Sequence, residues 1–150
     1  MAGDGRWWVA DGQSLRLRQA DGRVTSLVVD TLGGLRGVAA APGGAVLLLA
    51  DLLVGTPETP PARGSSIALV QRTHDGQHTL LADGRDPLIG QAEARGLLPQ
   101  GLCRSGDGQL LISVGHAVLR RAPDGRVHLH AGDLGTRGAQ DGPAAAARFD

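Results

Sequence analysis

The sequence predicts an all-β chain of repeated four-stranded antiparallel sheets, and three observations carry that prediction. One phrase recurs three times: an apolar run, a Gly-containing break, a second run, an Asp-Gly turn and a third run. The turns that follow the second run, at Asp21, Asp75 and Asp124, stand 54 and 49 residues apart, near the roughly 40–50-residue repeat of propeller blades. Asp-Gly also occurs at Asp4, Asp11, Asp83, Asp107 and Asp141. It is a strong tight-turn signal, and a chain so punctuated has no room for long helices. Finally, the apolar runs are short and continuous, as in residues 46–50, rather than alternating. Strands of that kind are covered on both faces, as a blade between two neighbours is. The fold class that follows is a β-propeller of four-stranded antiparallel blades, present as a partial ring.

Strands of a blade are named a to d from the axis outward. Blade 1 spans about residues 4–32 and lacks its inner strand: residues 7–11 read as b, 14–18 as c and 23–28 as d. Strand a is missing because Gly3-Asp4-Gly5 already matches the a–b turn at Gly106-Asp107-Gly108. Blade 2, about residues 35–85, reads as a (35–40), b (45–51), c (66–70) and d (78–81). Blade 3, about residues 99–133, reads as a (99–105), b (109–115), c (117–120) and d (126–129), and residues 134–150 as a connector to a missing blade. Bare outer sheets would exceed the few hundred Å² of contiguous apolar surface usual on monomers. The expectation is a segment of a longer propeller whose remaining blades are its first partner, rather than a self-closing homo-oligomer. A monodisperse dimer in light scattering overturns it.

Composition excludes several classes. The 150 residues carry 15 basic and 15 acidic groups, so no basic stripe favours nucleic acid. One cysteine excludes an intrachain disulfide framework. No apolar stretch reaches membrane-span length and the first ten residues hold no signal-peptide core, so no membrane partner is expected and the compartment stays unassigned. The chain has no Lys, Asn or Tyr. All three have A/T-rich codons, so their absence reads as the mark of a GC-rich, bacterial genome. The alternative, selection of Arg for bidentate anion binding, fits less well with arginines scattered singly.

The third copy carries a family resemblance. Pro99-Gln100-Gly101-Leu102, Gly106-Asp107-Gly108-Gln109-Leu110-Leu111-Ile112-Ser113, Gly115-His116-Ala117-Val118-Leu119-Arg120 and Pro123-Asp124-Gly125-Arg126-Val127 resemble the NHL-repeat β-propellers. Ala131-Gly132-Asp133 and the Asp141–Phe149 stretch resemble that family's inter-blade connector. The aromatic of strand b and the Asn before His116 are missing, and Trp7 and Trp8 fill the aromatic role in the first copy. The resemblance implies a non-catalytic binding or scaffold module that recognises a protein, peptide or small ligand through its loop face. Its alternative is a segment of a propeller enzyme, a lyase or a lactonase-like metal-dependent hydrolase, with its site in blades outside this chain.

No catalytic, cofactor-binding or metal-ligating residue is assigned, and no cofactor is expected. The long connections, residues 55–64, 84–98 and 132–150, all emerge at one end, the expected ligand face. His128 and His130 are expected on one face of an outer strand without a third ligand, and His116 in a structural turn. Cys103 reads as a small buried residue rather than a reactive thiol. Arg36 and Arg104 flank inner strands, as solvated structural groups or as an axial anion site. Ser65 and Ser66 have no motif around them, and Glu58 and Glu93 form no carboxylate pair.

Overall fold

The computed structural model describes residues 5–12, 14–27, 29, 32–54 and 62–150. Its eleven strands form three antiparallel sheets in chain order. The first holds β1 (Trp7–Asp11), β2 (Ser14–Arg18) and β3 (Val24–Leu27). The second holds β4 (Leu32–Ala40), β5 (Val46–Val54), β6 (Ala62–Arg72) and β7 (His78–Ala82). The third holds β8 (Pro99–Arg104), β9 (Leu110–Val114), β10 (Ala117–Arg121) and β11 (Val127–Gly132). Among the described residues a 3-10 turn (Pro42–Gly44) joins β4 to β5, and one α-helix, α1 (Pro87–Ala94), lies between the second and third sheets in sequence.

Four turns share one hydrogen-bonded design. In the β2–β3 turn, Gln19 N–H donates to Arg23 C=O and Gly22 N–H to Gln19 C=O. The same pair of bonds closes the turns at residues 73–77, 105–109 and 122–126. Each turn needs a left-handed residue at its fourth position, and Gly22, Gly76, Gly108 and Gly125 supply it with φ of 87°, 95°, 86° and 89°. An arginine four residues before each glycine lays its guanidinium against the space where a Cβ would stand: Arg18, Arg72, Arg104 and Arg121. The pattern Arg-x-x-Asp-Gly is thus a built unit, with glycine serving both the turn and the close approach.

The middle sheet is buried on both faces. Along β5, Leu47 and Leu49 join a core with Ile67, Leu69, Ile112 and Leu119, while Val46, Leu48 and Ala50 join a second core with Leu15, Ala68 and Val70. Alternate residues point to opposite sides of a strand, so a continuous apolar run is what two packed faces require. The first strands of the three sheets run side by side, β1 next to β4 and β4 next to β8. Gly37 makes the β4–β8 approach possible, since a Cβ there would stand 3.0 Å from Leu102 Cβ and 3.1 Å from Leu102 N. Gly37→Ala is therefore expected to lower stability by about 1–3 kcal/mol by forcing the inner strands apart, readable by urea unfolding. An unchanged midpoint would show that the two strands yield freely.

Helix α1 departs from the irregular connection expected over residues 84–98. Its signals are local and complete. Asp86 Oδ1 accepts from Leu88 N–H (3.0 Å) and Ile89 N–H (3.4 Å), and Pro87 fills the first helical position. At the other end Gly96 turns left-handed (φ 69°). Leu97 N–H then reaches Ala92 C=O and Gly96 N–H reaches Glu93 C=O. Ile89 and Ala92 plug the core between the second and third sheets. Glu93 Oε1 accepts the Ile67 N–H at 2.8 Å, where the β5–β6 register shifts between Ala50 and Leu52.

Candidate functional site

The inner strands converge on an open groove of about 810 Å³. Its walls are the ends of β4 and β8 with the turns that follow them, residues 38–45 and 102–106, and the start of β1 at Arg6 and Trp8. Trp8, Val38 and Leu102 give it an apolar wall, while Arg6 and Arg104 bring charge and Cys103 a thiol. The groove is bordered by β4 and β8, the inner strands of four-stranded sheets, and by β1, the first strand of a three-stranded one; among the described residues the free edges of all three carry no further strand.

This groove opens at the end that carries the short Arg-x-x-Asp-Gly turns. Of the long connections, residues 55–61 lie outside the described residues, and Glu58 with them; the others lie at the opposite end, where a ligand face was expected. Residues 84–98 fold largely as α1. The connector from Gly132 onward packs on the β9–β10 turn: Asp133 N–H donates to His116 C=O and Gly132 N–H to Ala144 C=O. Gln140 and Arg148 close an antiparallel bridge.

Several single-residue readings change in three dimensions. Cys103 is exposed, because β8 is the inner edge of its sheet and its outward face looks into the groove. The buried reading is corrected. Arg36 is a partly solvated structural group and is not free for an axial anion: its Nε and Nη2 donate to Asp51 Oδ1 (3.0 Å) and Oδ2 (3.2 Å). Asp51 is 3% exposed, so the pair is a structural clamp between β4 and β5. Arg104 does reach the groove, with Nε also donating to Gly108 C=O at 3.3 Å. His128 and His130 are both exposed on β11. The β10–β11 register shifts between Leu119↔Leu129 and Val118↔Ala131, leaving His130 as the extra residue of a bulge. Strict alternation fails there, so the two-residue spacing does not place the rings together. His116 sits in the two-residue turn between β9 and β10. Ser65 and Ser66 belong to β6. Among the described residues no group of three or more His, Cys, Asp or Glu could hold a metal ion, and no helix is long and apolar enough to cross a membrane.

Titration follows the turn chemistry. The Thr73 hydroxyl holds the Asp75 carboxyl below its ordinary 3.8, and the Ser105 hydroxyl does the same for Asp107. Burial, with Arg72 nearby, pushes His78 below 6.5. A depressed histidine contributes stability that is complete above 6.5 and is withdrawn as the pH falls towards the folded value. The depressed carboxylates contribute above 3.8 and lose that contribution as pH falls through their lower folded values. Thermal unfolding scanned over pH should therefore weaken first below 6.5 and again below 3.8. His78→Gln should remove the His78 share of the first step, and an unaltered profile would refute that assignment.

No family model matches the chain. It is 37% identical over 127 residues to a virginiamycin B lyase of Nocardia farcinica, an alignment covering 78% of this chain and 44% of that protein. The chain thus spans less than half the length of that curated relative. Among solved structures it is similar to a gluconolactonase from Xanthomonas campestris (TM-score 0.44, 16% identity, 85% of this chain and 58% of that one). It is also similar to a streptogramin B lyase with a TM-score of 0.53 at 12% identity, over 86% of this chain and 38% of that one. At that identity the likeness speaks for the fold, and with three successive antiparallel sheets packed through their inner strands the architecture is that of a β-propeller, part of a ring.

Proposed function

We propose that this chain supplies the ligand-binding wall of an NHL-type propeller module, with the groove between β1, β4 and β8 as the seat. The observation that carries the reading is the groove itself. It falls within the roughly 300–1,000 Å³ range of small-molecule sites, and it is walled by inner strands locked together at Gly37. Its lining is mixed, with Trp8, Val38 and Leu102 beside Arg6, Arg104, Ser105 and glycine backbone, so polar contacts would orient a ligand there. The expected result is that a bulky maleimide on Cys103 abolishes ligand-induced thermal stabilisation of the complete protein in a small-molecule screen. Stabilisation that survives the label would move the seat elsewhere.

A second reading is favoured by the virginiamycin B lyase relative: the same wall holds the substrate of a propeller lyase, and the groups that break the bond come from outside these residues. Chromatography with mass spectrometry of virginiamycin B incubated with the complete protein separates the two. Elimination gives new peaks whose masses sum to that of the substrate, hydrolysis gives new peaks that sum to one water more, and a pure binding module leaves the single starting peak.

A further inference from the structure

The first sheet is one strand shorter than its neighbours, and the shortfall is on its inner side. The second and third sheets begin with an inner strand, β4 or β8, whereas the first begins directly with β1. Equivalent positions follow from the turn arginines Arg18, Arg72 and Arg121. The residues just before them, Leu17, Gln71 and Arg120, pair with Trp8, Leu47 and Leu111. Trp8-Val9-Ala10 therefore stands where the other sheets hold Leu47-Leu48-Leu49 and Leu111-Ile112-Ser113. Those segments are paired on their inner side with Ala39-Val38-Gly37 of β4 and Cys103-Leu102-Gly101 of β8. No described strand pairs with Trp8-Val9-Ala10 from that side.

The bare edge is a hydrogen-bonding one. Asp11 and Ser14 close the β1–β2 hairpin with two residues between them. Such a closing pair exchanges its hydrogen bonds, and alternation along β1 then turns the N–H and C=O of Trp8 and Ala10 to the other edge. A row of unpaired backbone groups is a template for a further strand. The side chains agree: Val9 is 46% exposed, whereas its counterparts Leu48 and Ile112 have no exposed surface. The adjoining inner strand supplies a second wall. Gly37 of β4 packs on Leu102 of β8. By the same repeat, a strand beside β1 would set its own glycine against Val38, which lines the groove together with Trp8.

We propose that the inner edge of β1 docks one extended strand supplied by the same polypeptide from outside residues 1–150. The register assigns that strand a glycine opposite Ala10, an apolar residue opposite Val9 and a small residue opposite Trp8. Glycine admits the close backbone approach to β4, the apolar side chain covers Val9, and the small one leaves room for the indole. The source is the same polypeptide because the strands that fill this place in the other sheets are the chain's own, as Gly37-Val38-Ala39 and Gly101-Leu102-Cys103. The curated relative also has more than half of its length beyond the aligned part. The docked strand narrows the groove on its Trp8 side and leaves the ends of β4 and β8 as walls. It does not depend on a ligand being bound there.

The test uses the complete protein. Residue-resolved hydrogen exchange on the unmodified protein should find the Trp8 and Ala10 amides slowed more than about a hundredfold, alongside the Val9 and Asp11 amides that bond to β2. That protection should be unchanged on tenfold dilution. Free exchange at Trp8 and Ala10, with Val9 and Asp11 still slow, would show an open edge and overturn the proposal. Protection lost on dilution would overturn it too, by assigning the edge to a second copy. The photo-crosslinking residue p-benzoylphenylalanine at position 9 then identifies the occupant by peptide mass. The expected product joins position 9 to a Gly-apolar-small segment of the same polypeptide outside residues 1–150. A link into β4, or a covalent dimer, would overturn that assignment. Should the position-9 variant fail to fold, exchange on the unmodified protein still decides whether the edge is covered and by the same molecule. None of these readouts involves a ligand, so the groove reading stands or falls separately.

Discussion

Leu48→Ala and Leu49→Ala are each expected to destabilise the protein by about 3–4 kcal/mol, the cost of a buried leucine plus its residual cavity. Both side chains have no exposed surface, yet they report on different interfaces. Leu48 points into the core shared with the first sheet, and Leu49 into the core shared with the third sheet and α1. A folded domain is stable by only about 5–15 kcal/mol, so either change removes a large share of the total. Urea unfolding measures it, with Val24→Ala as the contrast. Val24 is 55% exposed, and such a surface change should stay within about 0.5 kcal/mol. A loss under about 1 kcal/mol at Leu48 or Leu49 would mean that the sheet face opposite it is not packed there.

Arg36→Met is expected to cost about 3–5 kcal/mol, because it strands the almost fully buried Asp51 carboxylate without its bidentate partner. Arg36 itself keeps about a quarter of its side-chain surface in solvent, so the reverse change, Asp51→Leu, should cost less. The double variant Arg36→Met/Asp51→Leu should recover most of the single Arg36 loss, since apolar groups can replace a buried ion pair at little net cost. A double-mutant cycle reads this directly. Additive losses would show that the two groups do not act as a pair. The clamp joins β4 to β5 at the end remote from the groove, so none of these variants should change the shape of the groove.

These two sites differ in how visible they are before folding. The burial of β5 on both faces is written in five consecutive apolar residues, and the strand needed no further information. The turn at Asp124-Gly125 is equally legible, as are its three counterparts, because Asp accepts a nearby N–H and Gly takes a positive φ whatever the tertiary context. The Arg-x-x-Asp-Gly unit was present in the same letters, but the stacking of the guanidinium appears only once the hairpin closes. Helix α1 also had its signals in place, Asp86-Pro87 at its start and Gly96 at its end. They were masked by the neighbouring Asp83-Gly84, which marks a turn just before them.

Cys103 shows a different kind of limit. Its position in an inner strand was readable, but its exposure depends on what lies beside that strand, and β8 is an edge. Arg36 was readable as a flank of β4, while its partner Asp51 stands fifteen residues away, on a neighbouring strand. His128 and His130 obeyed a two-residue spacing that one bulged residue cancelled.

What the sequence by itself determined is the set of strands, their turns and their repetition as blades. Those follow from short-range chemistry: continuous apolar runs and Asp-Gly turns. What only the tertiary structure decided is where a ligand would sit. The groove is made by β1, β4 and β8, whose residues lie far apart in the chain and meet because whole sheets pack through their inner strands. Its charge likewise arises from which arginines pair with carboxylates at one end and which stack on glycine at the other. Composition averages these to zero, because a sum over residues holds no information about where in space each charge is held.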